Sequence, residues 1–151
     1  MSETPGITIH QPLCAVFRRQ LKEEGLKYTP ERAQILDTII QIDDVFEAET
    51  LQKKLHSAEF RVSKATIYRT LKLLQDAGII HPVPLEKEQT SYMLAYGGRP
   101  RDLVIRVDTS EIESVEIPEL DEICQRLCAQ RGLTMQGRSF QIFARRAQND
   151  G

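Results

Sequence analysis

The stretch VSKATIYRTLKLLQDAGII, Val62 to Ile80, decides how the rest of the chain is read. At 100° per residue, Ile67, Leu71 and Leu74 fall on one stripe of a helix, while Ala65, Tyr68, Arg69 and Lys72 gather on the opposite face. Ser63 is suited to cap this helix and Gly78 to stop it. An aromatic beside two cations on the outward side of a helix either shields its ring against neighbours in the chain or meets a partner.

Charge favours a partner. Between Gln52 and Lys72 stand six basic residues, Lys53, Lys54, Arg61, Lys64, Arg69 and Lys72, against one acid, Glu59, on a chain whose formal net charge is −2. A local excess of this kind on a near-neutral protein fits contact with phosphate, a solvated helix face being the bland alternative. The 151 residues suffice for one ordinary domain or two small ones. No basic segment followed by an apolar run opens the chain and no stretch approaches a membrane span, so a cytoplasmic protein without membrane contact is expected. The three cysteines, Cys14, Cys124 and Cys128, include no Cys-x-x-Cys pair, which speaks against a disulfide framework or a zinc knuckle. Cys124 and Cys128 share a helical stripe with Leu120, Ile123 and Leu127, so they read as small buried hydrophobes; a ligand pair or redox switch is the alternative.

On the N-terminal side of the quoted helix, Leu13 to Glu24 suits a helix stopped by Gly25, and Thr29-Pro30 opens a second that runs through Ile40 to a break at Asp43-Asp44. Ala48 to Leu55 makes a short third. On the C-terminal side, Ile79 to Leu85 and Thr90 to Leu94 flank the polar Glu86-Lys87-Glu88-Gln89, as a hairpin or wing. The second and third helices, the quoted helix and the hairpin form a winged helix-turn-helix whose last helix enters the major groove, with Tyr68 facing DNA. Gly97-Gly98-Arg99-Pro100 then punctuates the chain, so residues 1–96 are read as a DNA-binding domain, 97–101 as a hinge and 102–151 as a second unit. That unit carries strands near Leu103–Val107 and Glu111–Ile117, a helix from Pro118 to Arg131 and a strand within Thr134–Ala144. A unit of about fifty residues buries too little apolar area alone, and pairing with a second copy would solve this. The fold class is α+β: an N-terminal winged helix-turn-helix and a small C-terminal α/β dimerisation domain.

"GLKYTPERAQILDTI", "AETLQKKL", "ATIYRTLKLLQDAGII" and "GLTMQGRSFQIF" resemble, in order and spacing, the ferric uptake regulator (Fur) superfamily of bacterial repressors. The resemblance covers Gly25 to Phe143 and implies a dimer on double-stranded DNA at an A/T-rich pseudo-palindrome. It implies base contacts from Tyr68 and Arg69, a minor-groove contact from Lys27, and backbone contacts from Ser63, Lys64 and Thr66, with Arg32 among the DNA-contacting residues. The chemistry agrees: arginine can bond a guanine edge or phosphate, tyrosine offers an apolar face to thymine methyls, and lysine reads narrow-groove potential.

The resemblance fails at the sensor. Where the family pattern has metal donors, this chain has Val45, Met93, "GGRPRDL", Ile105 to Asp108, and Arg138 in "QGRSF". His10, His56 and His81 do not cluster in sequence, and zinc or iron wants several donors converging on one point. No metal and no cofactor is therefore expected. Arg99, Arg101 and Arg138 fall where ligands would be, close to Asp102. An Arg138–Asp102 pair could lock the molecule without an ion, the arginines could hold an anionic effector, or they are merely solvated. The resulting expectation is a dimeric, sequence-specific repressor independent of regulatory metal. The alternatives are a relocated metal or redox input through Cys124, Cys128 or His81, and an interaction adaptor that no longer reads DNA. No catalytic constellation can be assembled, which excludes an enzyme.

Overall fold

The computed structural model describes residues 5–85, 87–95, 101–135 and 137–148, without the side chains of residues 5–12 and 101. Helix α1 (Pro5–Glu23) begins eight residues before the apolar register at Leu13 shows it. It is followed by α2 (Pro30–Ile42), the two-residue strand β1 (Phe46–Glu47), α3 (Ala48–Ser57) and α4 (Lys64–Asp76). The wing is β2 (Ile80–Val83) and β3 (Ser91–Leu94), and β1 adds to it in the order β1-β3-β2. Two residues are too few to show alternation, which is why β1 is invisible in the sequence.

The helix ends follow from local chemistry. Thr29 accepts a bond from the Arg32 amide at 3.2 Å to cap α2, with Pro30 in the first turn, where a missing N–H costs nothing. Ser63 caps α4 by accepting from the Thr66 amide at 3.1 Å. At the other end, Gly78 at φ 76° lets the Ile79 amide reach Leu74 O and the Gly78 amide reach Gln75 O, which terminates α4 and turns the chain into the wing. Leu13, Phe17 and Leu21 of α1 pack with Ile35, Leu36 and Ile39 of α2, Leu51 and Leu55 of α3, Ile67, Leu71 and Leu74 of α4, and Ile79, Ile80 and Leu94 of the wing.

The second unit contains β4 (Arg101–Arg106), β5 (Ile112–Val115), α5 (Pro118–Ala129) and β6 (Ser139–Ala144), with strand order β5-β4-β6. β4 is antiparallel to β5 and parallel to β6, with Leu103 opposite Gln141. A second, smaller apolar cluster joins the two units: Val83 and Met93 of the wing meet Leu103 and Ile105 of β4, with Val45, Leu85 and Ile112 packed around them. The hinge proposed at 97–101, and Arg99 within it, lies outside the described residues, except that the backbone of Arg101 opens β4.

One expectation needs correction. Helix α5 has no buried residue, Cys124 and Cys128 are half-buried rather than core, and Ile123 and Leu127 are exposed. The apolar stripe is present, but among the described residues nothing fully covers Ile123 and Leu127. Leu133, Phe140, Ile142 and Phe143 are exposed nearby in sequence or on β6.

Candidate nucleic-acid interface

The outward face of α4 carries most of the residues predicted to touch DNA. Tyr68 is 51% exposed, so it does not spend its ring on packing within the chain. Arg69 and Lys64 are exposed as well, and Arg69 Nη2 lies 3.4 Å from Thr66 Oγ1. Ser63 Oγ lies 2.9 Å from Thr66 Oγ1, so the capping hydroxyls form a short polar chain at the positive end of the helix. Thr70, buried beneath, turns its hydroxyl to Thr66 O at 2.8 Å.

Lys27 lies apart from α4, on an exposed loop that is braced from two sides. Arg32 Nη1 donates to Lys27 O at 2.7 Å. The next residue, Tyr28, meets α1: its ring stands edge-on to Phe17 at 6.0 Å between centroids, and the Arg18 guanidinium sits 4.5 Å above it. Burial and the bond with Cys14 push the Tyr28 phenol up to about 12. Arg32 is thus placed to hold the loop that presents Lys27.

The wing is latched to α3 and β1 by contacts the sequence did not announce. Lys87 Nζ and Ser91 Oγ each reach Glu47 Oε2 at 3.3 Å, and Gln89 Nε2 donates to Glu49 Oε2 at 2.8 Å. These pairs span forty residues or more, beyond the reach of any periodicity. Gln89, Glu49, Lys64 and Tyr68 line one small cleft, so the wing, α3 and α4 meet beside the tyrosine.

The described positions where the resemblance would place metal donors lie in separate places. Val45, Met93 and Ile105 belong to the apolar cluster between wing and C-terminal sheet. Arg138 binds Asp102 through both terminal nitrogens, Nη2 at 3.1 Å from Oδ2, and its Nε lies 3.4 Å from Asp121 Oδ1 of α5. Asp102 holds the guanidinium in its charged form against desolvation, with Asp121 assisting. Side-chain exposure of Arg138 and Asp102 is 10% and 5%. The pair borders a cleft of about 570 Å³ to which Asp43, Asp44, Glu116 and Asp121 also contribute. Asp108, at the end of the Ile105–Asp108 span, is clasped by Arg106 at 2.7 Å through two nitrogens, which holds its carboxyl well below the usual range. The side chains of Arg99 and Arg101 lie outside the described residues. At the family's donor positions the junction offers aliphatic side chains and one thioether, and the imidazole beside them, His81, faces the Gln141 amide. Among the described residues no three His, Cys, Asp or Glu side chains converge on a point, so a donor set for a regulatory ion is not assembled by these residues.

Residues 23–143 match the model of the ferric uptake regulator family. The chain belongs to that family. The ferric uptake regulation protein of Staphylococcus epidermidis is 40% identical over 107 residues, 71% of this chain and 77% of that protein. That of Campylobacter jejuni is 28% identical over 130 residues, 84% and 82% of the two chains. The structure of the ferric uptake regulator from Pseudomonas aeruginosa with manganese is 25% identical, covers 87% of this chain and 98% of its own, and superposes with a TM-score of 0.58. Fur-family proteins are DNA-binding transcription regulators and not enzymes, and this chain is such a regulator. Among the described residues no helix is long and apolar enough to cross a membrane.

Proposed function

We propose that the protein is a dimeric, sequence-specific repressor that reads an A/T-rich pseudo-palindrome and needs no regulatory metal to do so. The observation that carries the DNA reading is the outward face of α4, where exposed Tyr68 and Arg69 stand above a capped, positively charged helix start. Two such helices, one per protomer, address two half-sites. Dimerisation is supported by the apolar side chains that α5 and β6 leave uncovered, Ile123, Leu127, Phe140, Ile142 and Phe143.

Metal independence is supported by what stands at the family's donor positions. Val45, Met93 and Ile105 seal the two units with apolar surface, and Arg138 supplies a fixed cation between Asp102 of β4 and Asp121 of α5. Of the two roles open to Arg138, we favour the lock over the anion site, because its donors are taken by carboxylates and Asp43, Asp44 and Glu116 add negative charge to the cleft. The lock joins elements of the C-terminal unit rather than bridging to the wing. A relocated redox input keeps one observation in its favour, the partial exposure of Cys124 and Cys128.

The test uses a site selected from random duplex DNA. Arg69→Ala and Tyr68→Ala should each lower affinity for that site and relax its sequence preference. If both can be replaced together with no change in binding, α4 is not the reader.

A further inference from the structure

We propose that Gln141 is a positioning residue for DNA recognition: reaching from β6 to the wing, it fixes the angle of the winged helix on the C-terminal sheet and so the half-site spacing the dimer accepts. This rests on the dimeric DNA-binding reading above.

Gln141 lies opposite Leu103 in the parallel β4–β6 register, so the two side chains share the sheet face that meets the wing, while alternation sends Asp102 and Val104 to the other face. There its amide nitrogen has three acceptors in reach: Ser139 Oγ of the same strand at 2.8 Å, His81 Nε2 of β2 at 3.3 Å and Met93 Sδ of β3 at 3.4 Å. His81 Nδ1 faces Pro82 O at 3.3 Å, and the tautomer that donates from Nδ1 to that carbonyl has Nε2 as the acceptor for the amide. Two of the three contacts cross from one unit to the other.

Apolar surface supplies the adhesion at this junction but does not select an angle. The hydrophobic effect is non-directional, and Val83, Met93, Leu103 and Ile105 could remain in contact through a range of tilts. A hydrogen bond weakens steeply as it bends, so one amide shared between both wing strands and the sheet singles out one tilt. Polar groups within apolar contacts set register at some cost in stability in other assemblies, and the side chain of Gln141 is placed for the same role here. Since α4 runs directly into β2 through Gly78, the tilt of the wing is the tilt of the recognition helix.

The experiment compares the full-length protein with Gln141→Leu, in which leucine fills similar space beside Leu103 and removes the donor. Binding is measured to operators whose half-sites are moved apart or together by one or two base pairs, and solution scattering is recorded without DNA. The wild type should prefer one spacing by at least about tenfold, and the variant should bind all spacings within about threefold of one another, because the heads no longer hold one separation. Its scattering should show a broader distribution of dimensions. A variant that keeps the wild-type spacing preference overturns the inference. If the wild type binds no DNA, the reading beneath it fails separately, and the inference then stands or falls on scattering: unchanged dimensions in Gln141→Leu reject it.

Discussion

Tyr68, Arg69 and Lys64 leave α4 toward the same solvent, yet they are expected to contribute different things to binding. Arg69→Ala should cost roughly 1–3 kcal/mol and relax preference at particular positions if the guanidinium meets a base edge. Lys64→Ala should weaken every sequence alike and lower the salt slope by about one, the signature of a lost phosphate contact. Titrations of matched and mismatched duplexes at several salt concentrations separate the two. At Arg138 the issue is folding. Removing the guanidinium strands Asp102, 5% exposed, with a buried charge, so Arg138→Ala should destabilise the chain by about 3–5 kcal/mol in urea unfolding, and replacing both partners with apolar residues should recover most of it. The sequence placed Tyr68 on an exposed face because helical period is a local property. It offered an Arg138–Asp102 pair as one of three alternatives, from the positions where the family resemblance would place metal donors, and it missed Asp121 as well as Gln141, whose partners lie 48 and 60 residues away.

At the level of elements, the caps and stops were legible because each is written within a few residues: Thr29 and Ser63 before α2 and α4, Gly78 after α4. Strand β1 was not, since its identity comes from pairing Phe46 and Glu47 with Tyr92 and Ser91. The apolar stripe of α5 was legible but its exposure was not, because helical period reports which residues share a face and not what packs against it. The loop carrying Lys27 gives a pH prediction. The Tyr28 phenol has its folded pKa raised from 10.0 to about 12, so its contribution to stability is intact below pH 10 and is lost as pH rises from there through 12. Spectrophotometric titration should show a tyrosinate phase near pH 12 that disappears in Tyr28→Phe. If the phase that Tyr28→Phe removes lies near pH 10 instead, the loop is not held against α1 and Lys27 is not presented from a fixed base.

For the whole molecule, the apolar side chains that α5 and β6 leave exposed are the surface on which the proposed dimer would form. Phe143, 52% exposed, and Leu127, 46% exposed, should tolerate glutamate in the isolated chain, but Phe143→Glu or Leu127→Glu should shift the protein to monomer in sedimentation and abolish tight binding to a two-half-site operator. A dimer unaffected by both would place the interface elsewhere. The central claim is that a Fur-family fold reads DNA here without a regulatory ion, its junction sealed by Val45, Met93 and Ile105 and its C-terminal unit tied by Arg138. The most direct test is selection of duplex DNA from a random library by the purified protein, with and without prior exhaustive chelation, followed by affinity measurement on the selected site. The account predicts the same A/T-rich pseudo-palindrome and the same affinity in both arms. Binding that disappears on chelation and returns with added divalent metal would contradict it.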